Sequence, residues 1–201
     1  MTFDKDFFRQ VMGQFATGVT IVTVCNKGEL VGLTVNAFCT VSLDPPLVLV
    51  CVDLQSNTLP HIRESGAFAV NILTDQQEHF SRCFATSSEE RYEHFCRASY
   101  SVAATGSPIL ADVLAFIDTR IVAEYPGGDH VIFVGQVEAM GTNDQVAFAD
   151  EAIRQEAIQA GLNGNGKARE PLAYYRGHYR HLDSDYSKPS LAVYHEPSNS
   201  L

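Results

Sequence analysis

Ser56-Asn57-Thr58 places two hydroxyls and an amide side by side directly after an apolar run, a grouping able to hold an anion. Short hydroxyl side chains and the N–H groups of a turn can direct several hydrogen bonds at one phosphate without an arginine. The same residues also suit an Asx or Ser/Thr turn capping a helix from Leu59 to Ser65. The two uses are compatible, because a helix N-terminus itself attracts phosphate. A second group, Tyr174-Tyr175-Arg176 in PLAYYRGHYRHL, combines aromatic faces with a cation and points to stacking and anion contacts rather than to a metal pair at His178 and His181. His130 follows the turn Pro126-Gly127-Gly128-Asp129; it is placed to reach into a cleft between loops, or to serve as exposed turn chemistry. His79, His94, Cys83 and Cys96 lie close in sequence but match no metal-ligand spacing.

These residues must be positioned by a mostly β chain. Val31 to Thr40 alternates loosely, and Leu47 to Val52 is a continuous apolar run that predicts a strand buried on both faces. Between them Asp44-Pro45-Pro46 forms a rigid elbow holding Thr40 and Ser42, since each proline fixes φ and biases its predecessor towards extended geometry. Upstream, Phe7, Val11 and Phe15, with Phe8 and Met12, share one face of a helix ended by Gly18; GVTIVTVC is a strand and Asn26-Lys27-Gly28 a turn. Downstream, Ala67 to Leu73 is a short buried strand and Thr74 to Arg82 is helical. Phe84 either borders a pocket or anchors that helix. Leu114 to Gly141 is a long hairpin with one polar face, bearing Asp118, Arg120 and Glu124. Val146 to Ala160 has helical spacing, with Asn143 as N-cap and Gly161 as stop; Leu162 to Glu170 reads as a mobile loop and Asp183 to Leu201 as a loosely held tail.

The chain has 201 residues, 45% of them hydrophobic, which suits one domain over 1–182 with a helix–loop insertion at about 143–170 and a tail at 183–201. A formal net charge of -10 argues against nucleic-acid binding. No apolar run approaches the roughly 20 residues of a membrane span, and the first residues lack a signal-peptide pattern. Five cysteines, with no CxxC pair, suggest neither a disulfide framework nor a zinc site, and a reducing cytoplasm is the simplest setting. Cys25, Cys39 and Cys51 read as small buried hydrophobes. No GxGxxG or Walker pattern is present, which leaves a β-rich barrel as the favoured architecture.

The blocks FATGVTIVT, GLTVNAFCTVSLDPPLV, SNT, SGAFAVNIL, GGDHVIFVGQVE and PLAYYRGHYR occur in an order that resembles the flavin reductase-like family. These are short-chain NAD(P)H:flavin oxidoreductases that serve two-component monooxygenases. The resemblance implies a mostly β fold with flanking helices, the FMN-binding split β-barrel, and a homodimer with flavin near the subunit interface. It implies that Thr34 and Asn36, with the backbone around Val35, Ala37 and Ser42, face the isoalloxazine and ribityl chain, with Cys51 and Val52 beneath. Ser56, Asn57 and Thr58 would hold the phosphate, Phe84 would border the site, His130 would sit by the nicotinamide, and Tyr174, Tyr175 and Arg176 would close over the flavin or dinucleotide. The implied cofactors are FMN or FAD and NADH or NADPH, and the implied partner is a flavin-dependent oxygenase. Rival uses of the same barrel are an FMN-retaining flavoprotein that reduces ferric ion, a corrinoid or a quinone, and a non-enzymatic flavin-binding module. The insertion at Asn143 to Glu170 departs from the family pattern.

Overall fold

Alternation along Thr20–Asn26 (β2) sends Val22 and Val24 to one side of a sheet and Ile21 to the other, and both sides are buried. The computed structural model describes residues 3–142, 145–150, 152–155 and 169–182. Around β2 the chain builds α1 (Lys5–Met12), β1 (Thr17–Gly18), β3 (Glu29–Val35), β4 (Phe38–Leu43), β5 (Pro46–Asp53), α2 (Leu59–Ser65) and β6 (Ala67–Ile72). Then follow α3 (Glu78–Ala85), α4 (Glu89–Tyr92), β7 (Tyr100–Val102), β8 (Pro108–Leu110), β9 (Ala115–Gly127), β10 (His130–Thr142), β11 (Val146–Phe148), β12 (Ala173–Tyr175) and β13 (His178–Arg180).

An antiparallel sheet runs β3-β2-β6-β9-β10-β5-β4, with β11 added on β10, and its two edges do not pair with each other. It is the split barrel that the resemblance implies. Its inner core holds Val22, Val24, Val50, Val52, Phe68, Val70 and Phe133, plugged by Leu59 and Ile62 of α2. The opposite face packs Ile21, Ala69, Leu73 and Phe116 beneath Phe84 of α3 and Phe95. Asn71, fully buried on β6, donates to Ile21 O (3.1 Å) and Thr23 Oγ1 (2.9 Å) and accepts from Leu110 N–H (2.8 Å), so one amide fixes the β7–β8 flap to the sheet. A buried amide left without these partners would cost more than the bonds supply, so the flap's register is strongly specified.

Several expectations are corrected. The Leu47 to Val52 strand is not buried on both faces: Val48, Val50 and Val52 point inward, while Leu47, Leu49 and Cys51 stay half exposed because no element among the described residues covers that side. The first helix stops at Gly13 rather than Gly18, because Thr17–Gly18 is drawn into pairing with β12. Val146–Phe148 is a strand, not the start of a helix: the chain doubles back along β10, pairing Phe148 with Ala139 and Val146 with Gly141. Residues 152–155 are helical, whereas residues 156–168, with most of the expected helix and loop, and the tail at 183–201 lie outside the described residues. Cys83 and Cys96 form a disulfide, tying α3 to the turn at Phe95. Cys39 is exposed rather than buried. The long hairpin forms, but two register shifts interrupt its simple alternation, and Asp118 ends fully buried. No helix among the described residues is long and apolar enough to cross a membrane.

Burial pushes the Asp118 carboxyl up to about 6, against the hydroxyl and N–H of Thr105 and the N–H of Ala104, which donate to it and pull the other way; Glu138 adds to the rise. The folded state therefore holds this proton to higher pH than the unfolded chain, whose aspartates titrate near ~3.9. The stabilising effect of protonation is full below that value and is lost as pH rises through about 6. Urea denaturation of the wild type and of Asp118→Asn should show the wild type losing, relative to the variant, on the order of 2 kcal/mol between about pH 4 and about pH 7. A pH-independent difference would mean that Asp118 titrates as an ordinary carboxylate.

Candidate functional site

The uncovered side of β5 forms the back of a cleft of about 970 Å³. Leu49 and Cys51 supply that back; Asn36, Ala37, Phe38 and Cys39, where β3 passes into β4, form one wall. Phe8, Met12 and Phe15 of α1 and the turn after it form the other, with Tyr174, Arg176 and Gly177 of the β12–β13 hairpin. Each wall is anchored by backbone bonds. Cys51 N–H donates to Ala37 O at 3.0 Å, which holds the bend at residues 36–37 against β5. Arg176 N–H donates to Gly13 O at 3.0 Å, and its guanidinium donates through Nε (2.9 Å) and Nη2 (2.7 Å) to Gln14 Oε1. The hairpin tip needs two consecutive left-handed residues, with φ of 52° at Arg176 and 78° at Gly177, and this turn aims the arginine back at the helix end.

Five of the residues expected at one site are thus brought together: Asn36, Ala37, Cys51, Tyr174 and Arg176. Tyr175 stacks under the Arg176 guanidinium at 5.1 Å, beside the cleft wall. The others lie elsewhere. Val35 and Val52 are in the inner core. Thr34 donates its hydroxyl to Ser81 O at 2.6 Å, so it faces α3 rather than the cleft. Ser42 sits at a register shift on the edge strand β4, away from the cleft lining. Phe84 is completely enclosed, edge-on to Phe95 at 5.1 Å and pressed against Gly32, where a Cβ would lie 2.8 Å from its ring; it is the anchor beneath a helix. His130 pairs with Asp53 across β5 and β10, and its Nδ1 lies 2.8 Å from Asp129 Oδ1, outside the cleft lining.

Ser56-Asn57-Thr58 forms a separate polar corner beyond the end of β5. Thr58 N–H donates to Ser56 Oγ at 3.3 Å, the side-chain turn expected there, and α2 begins at Leu59 as the spacing predicts. Sequence reasoning missed what stands behind this corner. Arg91 on α4, 7% exposed, donates from Nη2 to Thr58 Oγ1 at 3.1 Å, and Tyr92 OH accepts from Asn57 Nδ2 at 3.3 Å. The only sequence signal was the helix start at Ser88, whose hydroxyl accepts from Arg91 N–H.

The chemistry available to the cleft is binding and orientation. Burial, and secondarily the neighbouring Cys39, push the Cys51 thiol up, so it stays protonated at neutral pH and offers no thiolate nucleophile. The cleft's apolar walls and its slot-like position against one strand suit a planar aromatic ring. A polar group is also wanted there: Thr17 Oγ1, on the cleft wall, is buried without a hydrogen-bond partner, a vacancy that a ring heteroatom or ribityl hydroxyl would fill.

Known proteins place the chain in a family. Residues 12–183 match the model of the flavin reductase like domain. The HsaB reductase subunit of a flavin-dependent monooxygenase from Rhodococcus jostii (strain RHA1) is 34% identical over 187 residues, which cover 93% of this chain and 83% of that protein. A flavin reductase (NADH) from Kitasatospora aureofaciens is 41% identical over 145 residues, covering 71% and 75% respectively. Among solved structures, the Streptomyces globisporus C-1027 NADH:FAD oxidoreductase SgcE6, in complex with NAD and FAD fragments, superimposes with a TM-score of 0.73, with 31% identity over 91% of this chain and 95% of that one. The open antiparallel barrel, the apolar cleft against β5 and these likenesses agree, and the chain belongs to the flavin reductase-like family of NAD(P)H:flavin oxidoreductases.

Proposed function

We propose that the protein uses NADH or NADPH to reduce free FMN or FAD, and that the reduced flavin leaves for a separate flavin-dependent oxygenase. The observation that carries this reading is the cleft against β5, which gathers Asn36, Ala37, Cys51, Tyr174 and Arg176 in a chain of this family. The oxygenase partner is supported by relatives described as reductase subunits of monooxygenases. When bound, the flavin ring supplies the hydride acceptor. The protein's own contribution is geometric, because a hydride delivered between two stacked rings needs no acid or base but does need them held about 3 to 3.5 Å apart. Leu49, Phe38 and the α1 aromatics give the slot an apolar lining, and the pinned β12–β13 hairpin forms one side of its mouth.

A second copy of the chain completes the site. Phe7, Phe8, Val11, Met12 and Phe15 are each more than half exposed, and α1 has no buried residue. A two-turn helix with its apolar face in water is not stable by itself, so this face requires a cover. It is continuous with the cleft, because Phe8, Met12 and Phe15 belong to both. A partner subunit laid on α1 would therefore close the cleft as it buries the helix.

Steady-state assays of NADH and NADPH against FMN, FAD and riboflavin test the activity. Oxidation of the nicotinamide that depends on added flavin is expected, and none with any of the three would leave only a binding module. Sedimentation at tens of micromolar should give twice the 22.1 kDa chain mass for the wild type, with Phe7→Asp/Val11→Asp at the single-chain mass and flavin turnover reduced at least tenfold. A wild-type monomer with full turnover would remove the second copy from the site.

A further inference from the structure

We propose that the Cys83–Cys96 disulfide is a thiol-sensitive clasp: closed, it holds α4 against the edge of β3, and opened by thiols it releases the loop and weakens flavin binding. The effect on flavin rests on the reductase reading above, whereas the release of the loop stands without it.

The first observation is a backbone held against its preference. Phe95, Cys96 and Arg97 have φ of 46°, 52° and 52°, three consecutive non-glycine residues in the left-handed region. They make one left-handed turn, closed by Arg97 N–H to His94 O at 2.8 Å and by Ala98 N–H to Phe95 O at 3.1 Å. For L-residues this conformation crowds Cβ against the following carbonyl, so it is ordinarily visited by single residues, most often glycine. It persists only where the surroundings over-determine it, and such backbone clusters in clamps and switch segments. Three restraints act here: the bond from Cys96 to Cys83, the Phe95 ring edge-on to Phe84 (5.1 Å) and Tyr100 (5.8 Å), and the ion pair of Arg97 with Glu90 (2.6 Å). The ion pair is exposed and contributes little, which leaves the covalent bond and one ring to hold the turn.

The second observation is what the clasp encloses. Arg91, inside the loop, is 7% exposed, yet its acceptors are all neutral: Gly32 O from Nε at 2.9 Å, Thr58 Oγ1 from Nη2 at 3.1 Å and Thr86 O from Nη1 at 3.3 Å. Among the described residues no carboxylate pairs with it; Glu90 is held by Arg97, and Glu89 lies by His94. A buried guanidinium without an opposite charge is drawn towards water. The loop's own secondary structure opposes that pull weakly, because α4 has only four residues and a helix that short does not hold in isolation. A cross-link between residues 13 apart removes most of the conformations that the loop would gain by leaving. The left-handed turn and the buried charge thus push outward, and the disulfide opposes both.

The third observation is that the bond is reachable and its loop is wired to the site. Cys83 is half-buried while Cys96 is enclosed, so an external thiolate has its approach at Cys83. It bonds to Cys83 Sγ, the S–S bond breaks, and Cys96 leaves as a thiolate that takes up a proton. A second thiol then draws the first out of the mixed disulfide, so two external thiols become one external disulfide and two electrons pass to the protein. Oxidised glutathione reverses the exchange. Two of the Arg91 acceptors, Gly32 O and Thr58 Oγ1, lie outside the loop, as does Asn57, whose Nδ2 donates to Tyr92 OH at 3.3 Å. Gly32 is on β3, which leads to Asn36 on the cleft wall. Departure of the loop would loosen that strand and the hydroxyl corner together.

Trypsin reads the clasp directly, because Arg91 is the only Lys or Arg between Cys83 and Cys96. The full chain is digested under native conditions after treatment with oxidised glutathione or with dithiothreitol, beside Cys83→Ser/Cys96→Ser, and the fragments are separated after reduction and denaturation. Thiol titration should count three free cysteines in the closed form and five in the open one. Cleavage after Arg91 should be at least tenfold faster in the reduced wild type and in the variant than in the oxidised wild type, and re-oxidation should restore resistance. Dithiothreitol should leave the variant unchanged; an equal response there would assign the effect to Cys25, Cys39 or Cys51 and overturn the proposal. So would five free thiols after oxidation, or equal cleavage of the oxidised and reduced forms. In steady state, reduction should raise the Michaelis constant for FMN at least fivefold and that for NADH less than twofold, and no rise for FMN while Arg91 becomes cleavable would overturn the link to flavin. Should the variant fail to fold, the oxidised and reduced wild type decide by the same digestion. Failure of NADH oxidation with every flavin would sink the reductase reading instead, since the digestion reports the clasp without turnover.

Discussion

The eight-stranded sheet ends on β3, whose outer row of backbone groups is met by no strand among the described residues. An open edge of this kind must be covered or it invites pairing with another chain. Here side chains and a helix do the covering. Arg91 takes Gly32 O, Thr34 turns its hydroxyl to Ser81 O, and α3 presses Phe84 against Gly32, the one residue type that leaves room for the ring. Because the edge is covered by side chains rather than by β4, the barrel stays split.

The same constraint explains why the α3–α4 segment is held so firmly. The disulfide between Cys83 and Cys96 closes a loop that contains Arg91 and Tyr92, and Phe95, beside it, packs edge-on to Phe84. Loss of order in this loop would free Gly32 O, Thr58 Oγ1 and the Asn57 amide together. Covalent closure removes conformations from the unfolded chain, so its benefit falls on a segment with only short helices of its own. The residues of the hydroxyl corner are therefore positioned from behind, by a segment that does not itself line the cleft.

What the sequence made legible were features set locally. The turn at Asn26-Lys27-Gly28 has its left-handed pair, Leu59–Ser65 is the expected helix, and the β9–β10 hairpin closes at the glycine-rich turn. Family resemblance added the barrel and five of the residues that line the cleft. The failures were tertiary. A run such as Leu47 to Val52 reads the same whether its second face is packed by protein or left open for a ligand. Arg91 stands in SSEERYEH, which by charge alone looks like a solvated face, and only the fold of α4 onto β3 buries it. Val146–Phe148 has spacing compatible with a helix, but the neighbouring edge of β10 offers backbone bonds that a three-residue helical start does not. Cysteine count likewise says nothing about two residues thirteen apart that tertiary packing brings together.

The cleft and the hydroxyl corner are built from separate residues. The cleft walls are shared with α1 and the β12–β13 hairpin, so a change there alters ring binding, the mouth of the slot and the apolar face of the helix together. The hydroxyl corner shares residues with none of these. Its supporting charge lies under Thr58 and touches the cleft only through β3. A substitution at that corner therefore leaves the cleft lining in place, whereas one on α1 or in the β12–β13 hairpin changes several of its walls at once.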